Sequence, residues 1–188
     1  MRVLFPFVIA ALSLPVQVHA AQPIAVPNFR SVELTAGGDV TIVRGPVQRV
    51  TMLNGDTQMT SFRVVRDGRL EITTSCDRRC PHNYNLRIQI ESPTVPDVAV
   101  EAGGTIRVGP GFGAQRQLSA AVNAGGTIDA RALPVDGVSA AVNAGGDIYV
   151  HPRVSLSAAV HAGGDIHYSG NPQVSMAIAN GGNVSRSN

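Results

Sequence analysis

The chain has 188 residues, a net charge of +2 and a hydrophobic content of 44%, which suits one compact domain with a real core. All 15 basic residues are arginines, scattered among 13 acids. No basic stripe forms, and a nucleic-acid partner is not expected. Aromatics are 4% of the chain and tryptophan is missing.

In chain order, Met1-Arg2 supplies a positive start, Val3–Leu14 a short apolar run, and Val18-His19-Ala20 a small-residue end. This predicts a secretory signal peptide over residues 1–20, cut after Ala20. The run is too short to cross about 30 Å of hydrocarbon and Pro6 interrupts it. Position 21 is not Cys, so lipidation is not expected, and no later segment is apolar enough to span a membrane. The expected location is the periplasm, the cell surface or the medium. Residues 21–188 are then a single domain, irregular over 28–96 with an excursion near 74–84, and regular over 97–184.

The irregular part opens with Arg30–Arg44 (RSVELTAGGDVTIVR), where Val32, Leu34, Ala36, Val40 and Ile42 form one apolar row. Alternating runs follow at Arg49–Leu53, Phe62–Val65, Leu70–Thr73 and Asn85–Ile90. Asp67-Gly68 predicts a hairpin turn between the second and third. Cys76 and Cys80 stand in CDRRC, and in an exported protein such a pair predicts a disulfide closing a tight loop. The competing reading is a Cys76-Cys80-His82 metal site, which lacks a fourth ligand nearby.

The regular part repeats a glycine pair. Gly37-Gly38 comes first, then Gly103-Gly104, Gly125-Gly126, Gly145-Gly146, Gly163-Gly164 and Gly181-Gly182, the last five at intervals of 22, 20, 18 and 18 residues. A block of constant length recurs as 97–108, 119–130, 139–150 and 157–168, separated by shorter stretches holding Pro110, Pro134, Pro152 and Pro172. Within each block the residues alternate with period two, the mark of a strand with one buried face. One row runs Leu118, Ala120, Val122, Ala124, Ile128, Ala130, and its successors repeat it. One copy cannot bury its own row, so the copies are expected to stack as parallel strands, in a β-solenoid of about 18–22 residues per coil. The glycine pairs fit either corners or gentle bends in this geometry. Asn180, in place of an inward Ala, and the polar end Ser185-Arg186-Ser187-Asn188 suggest a cap on the last edge.

SVELTAGGDVTIVRG, RVTMLNGD, VVRDGRLEI and LRIQIESPTVPDVAVEAGGTIRV, followed by repeated AGGDI units, resemble the family called "putative auto-transporter adhesin, head GIN domain". The resemblance runs from about Asn28 to Val184, although this chain has Ala-Gly-Gly where the family often has Gly-Ser-Gly. It implies an exported, short right-handed parallel β-helix with no established activity.

Stacking in register predicts outward columns: Glu101, Asn123, Asn143, His161, Ala179; then Thr105, Thr127, Asp147, Asp165, Asn183; then Arg107, Asp129, Tyr149, His167, Ser185. Asn123, Asn143, His161, Asp147, Asp165 and Tyr149 are the candidate binding face. Asp147 and Asp165 would be like-charged neighbours; calcium could sit between them, but solvated corner aspartates are the preferred reading, and no metal or cofactor is expected. Asp129, Asp147, Asp165, Arg131 and Tyr149 are also the only candidates for a carbohydrate-active enzyme, and they lack clustered sugar platforms. GPGFG at Gly109–Gly113 has neither the lysine nor the helix of a phosphate loop, and Asn183-Val184-Ser185 spells a glycosylation sequon. Smooth columns of serine (119, 139, 157, 175) and alanine (121, 141, 159, 177) offer a surface for an envelope polymer, a surface protein or a second copy. The expectation is therefore an exported non-catalytic protein with a binding, adhesin-like or envelope-structural role. The alternatives are a β-helix enzyme or a self-assembling, bactofilin-like scaffold.

Overall fold

The computed structural model describes residues 21–35, 37–75 and 84–187. The proposed signal peptide, Ala36 and the Cys76–Cys80 loop lie outside the described residues. The N-terminal strands are β1 (Gln22–Ile24), β2 (Ser31–Leu34), β3 (Asp39–Arg44), β4 (Arg49–Asn54), β5 (Thr60–Val64), β6 (Arg69–Thr74) and β7 (Arg87–Ser92). The repeats give β8 (Asp97–Ala102), β9 (Thr105–Val108), β10 (Gln115–Ala124), β11 (Thr127–Val142), β12 (Asp147–Val160), β13 (Asp165–Tyr168), β14 (Gln173–Ile178) and β15 (Asn183–Arg186).

The repeats stack in parallel register. Val122 pairs with Val142 and Val142 with Val160. Beyond the glycine pairs, Ile106, Ile128, Ile148, Ile166 and Val184 form a second file. The four isoleucines are wholly buried, each worth about 1.5–3 kcal/mol when taken from water.

A right-handed parallel β-helix is nevertheless not the architecture. All 15 strands join in one mixed sheet that curls, barrel-like and nearly closed, around a single core. β1 and β4, β4 and β7, and β5 and β6 pair antiparallel. Chain order fails as well: β2 and β3 lie between β6/β7 and β8/β9, although β4 to β7 come between them in sequence. Period-two alternation marks a half-buried strand and is blind to the direction of its neighbour. Each antiparallel pair takes at least one strand from the chain between the first repeat and the second, where no glycine pair fixes a parallel corner, and β1, ahead of the first repeat, joins one of them. β5 and β6 are the hairpin that Asp67-Gly68 predicts, with Gly68 at φ 78°.

Three smaller differences follow. Pro134 and Pro152 lie inside β11 and β12, in irregular stretches of the ladder where a missing N–H is tolerated. Ala124, Ala144 and Ala162, assigned above to the inward row, are exposed, because the chain leaves the wall at the glycine corner just after them. Asn180 does not close the last edge either: it adopts φ 56°, while Met176 and Ile178, in register with the buried Ala158 and Val160, remain 52% and 44% exposed.

Candidate functional site

The glycine corners set where each column lies. Gly145 and Gly146 have φ of 78° and 102°, a region L side chains rarely adopt. A Cβ on Gly145 would meet nothing within 4 Å, whereas one on Gly146 would lie 2.7 Å from the carbonyl oxygen of Gly126 and 2.6 Å from Val122. The first glycine supplies the turn; the second lets one level rest on the last. Backbone bonds continue through the corner, Gly125 N donating to Gly145 O at 3.3 Å and Asp147 N to Gly126 O at 2.9 Å.

Two walls meet at this corner. On the wall before it, serines 119, 139, 157 and 175 stand in one file and alanines 99, 121, 141, 159 and 177 in the next. An open trough of about 500 Å³ runs across the serine file, edged by Gln117, Gly137, Ser155 and Gln173. Nearest the corner, Asn143 Nδ2 donates to Asn123 Oδ1 at 2.9 Å and Asn123 Nδ2 to Glu101 Oε2 at 2.7 Å. His161, the next level, is exposed.

On the wall after the corner, Asp147 pairs with Asp165 and Asp165 with Asn183. Beside them the rings of Tyr149 and His167 stack with centroids 4.8 Å apart, and the Arg131 guanidinium lies 4.8 Å from the Tyr149 centroid. Arg131 holds Asp129 in a bidentate pair of 2.9 and 2.7 Å. That hydrogen bonding keeps the Asp129 carboxyl below its ordinary range, against the opposing effect of burial. The six residues of the candidate face thus divide: Asn123, Asn143 and His161 on one side of the corner, Asp147, Asp165 and Tyr149 on the other.

His167 stands with the second group, although the candidate face read from the sequence does not include it. It is two positions after Asp165, so strand parity alone places it on the same face. Its Nδ1 lies 3.1 Å from Ser185 Oγ. Gly109–Gly113 is a loop whose Gly111 carbonyl accepts from Arg44 Nη1 at 2.8 Å, while Phe112 is buried.

A separate charged cluster lies in the N-terminal half. Arg69 faces Glu33, Asp67 and Glu71, and Arg63 donates to Glu71 at 2.6 Å. Arg63 in this way lowers the pKa of Glu71, while burial raises that of Glu33.

These features define an all-β protein with long ordered outer walls. Residues 97–172 match the family described as "Putative auto-transporter adhesin, head GIN domain", the family that the repeats resemble. Among solved structures, the chain is similar to a "putative adhesin" from Bacteroides fragilis NCTC 9343 (18% identity, TM-score 0.42, covering 89% of this chain and 96% of that one). It is also similar to a "putative lipid binding protein" from Parabacteroides distasonis ATCC 8503 (14%, 0.37, 88% and 96%). A "putative cell adhesion protein" from Clostridium sporogenes ATCC 15579 is a third (8%, 0.35, 89% and 99%). No curated protein matches the sequence.

Proposed function

We propose that this is an exported, non-catalytic binding protein of the adhesin kind, which holds an extended envelope polymer or surface protein against its serine and alanine wall. One observation carries this reading: small side chains continue in register over successive levels beside an open trough, without a bulky residue standing up between them. Such a wall lets a long partner approach the backbone closely along its whole length, and the trough's serines and glutamines offer it hydrogen bonds. The family description over residues 97–172 supports the adhesin class, and the signal-like start at residues 1–20 supports export.

The test is co-sedimentation with isolated cell-envelope fractions. Ala141→Arg together with Ala159→Arg places two long charged side chains in the middle of the wall. The double variant should lose at least ten-fold in retention, with an unchanged circular dichroism spectrum. Equal retention of variant and wild type would move the binding surface elsewhere.

A further inference from the structure

The paired aspartates acquire a third donor that the repeat pattern alone did not assign. Asp147, Asp165 and His167 bring one ligand atom each to within 4.8 Å of one another, all half-buried on the wall after the glycine corner. We propose that these three side chains form a binding site for a divalent transition-metal ion of the zinc class.

The ladder itself places the donors. Asp147 and Asp165 are direct partners on β12 and β13, one strand spacing apart, and His167 follows Asp165 by two residues on the same face. Among the described residues neither aspartate makes an ion pair, whereas Asp129 beside them is neutralised by Arg131. Two carboxylates held this close repel unless a cation lies between them.

The histidine decides which cation. Calcium takes six to eight oxygen ligands, and a site with an imidazole and only two carboxylates supplies too few. One nitrogen and two carboxylate oxygens suit zinc or a neighbouring first-row ion, with remaining positions open to water. The surroundings of His167 fit a ligand role. Tyr149 stacks on the ring and Ser185 Oγ lies 3.1 Å from Nδ1, two contacts that hold the imidazole in its orientation. The site lies across the corner from the serine and alanine wall and does not depend on that wall's binding a partner.

The experiment titrates zinc into the chelator-treated full chain by calorimetry, with calcium in a parallel titration. One zinc per chain is expected, with no calcium heat, and with affinity reduced at least ten-fold in each of Asp165→Asn and His167→Gln. His151→Gln and His161→Gln should bind as the wild type does. Cobalt in place of zinc should give a visible d–d absorption that His167→Gln abolishes, a signature that a loss of stability alone would not move selectively. Absence of saturable zinc binding would overturn the proposal. So would unchanged affinity in His167→Gln, or loss of all zinc in a Cys76→Ser/Cys80→Ser variant, which would assign the metal to the cysteine loop.

Discussion

The two ends of the sheet are finished differently. At the N-terminal end, β1 and β5 close the two walls as antiparallel strands, and the β5–β6 hairpin carries Arg63 paired with Glu71. At the other end, β14 pairs with β12 alone and presents Met176 and Ile178 to solvent. The repeats extend the sheet by adding near-identical levels, and such a process has no natural stop, because each level creates the edge the next one needs. The irregular half supplies a stop by reversing strand direction and surrounding it with charge. The last repeat does not, and its apolar file simply runs out into water.

The sharpest way to separate the halves is through their glycines. Gly146→Ala forces positive φ on a side chain and drives its Cβ against the Gly126 carbonyl and Val122. It should cost about 3 kcal/mol or more, or prevent folding. Gly68→Ala, in the N-terminal hairpin, carries the φ penalty but meets only the flexible side chain of Arg30, at 3.1 Å. About 1 kcal/mol is expected there. Urea denaturation of both variants checks the ordering, and similar losses would mean that close stacking of levels is not what the second glycine serves.

Along the repeats, truncation should matter in proportion to distance from the open end. Ile148→Ala removes a wholly buried side chain in mid-file and should cost about 2–5 kcal/mol. Met176→Ala, already half in water on the edge strand, should cost less than about 1 kcal/mol. Thermal unfolding of the pair measures the contrast, and comparable losses would show that the edge is covered in solution.

The smallest effect is electrostatic. Asp129 titrates below its ordinary value in the folded protein, so its pairing with Arg131 contributes stability in full above the unfolded carboxylate pKa of about 3.9. That contribution is lost as pH falls through the lower, folded value. Arg131→Ala should therefore lower the melting temperature slightly at pH 7 and hardly at all near pH 2. A difference that persists at pH 2 would place the role of Arg131 in packing on Tyr149 instead.

Much of the repeat was legible in the letters. The constant block around Val122, Val142 and Val160 pointed to both the stacking and the outward columns, because an unchanged block length leaves one register in which the large apolar residues all point inward. Glycine pairs left corner and bend open, and only the backbone angles decided for corners. His167 was visible as a column member, yet nothing in one dimension showed its nitrogen closing on two carboxylates from separate levels.

The sequence by itself determined most of the strands, the face on which their large apolar residues are buried and, from the second repeat onward, which repeat lies on which, since these follow from local periodicity and from the requirement that apolar rows be covered. Only the tertiary structure decided strand direction in the N-terminal half, the insertion of β2 and β3 beside β8 and β9, and the curling of one mixed sheet into a nearly closed wall. Alternation is the same for parallel and antiparallel neighbours, and the choice between them depends on contacts between segments distant in the chain.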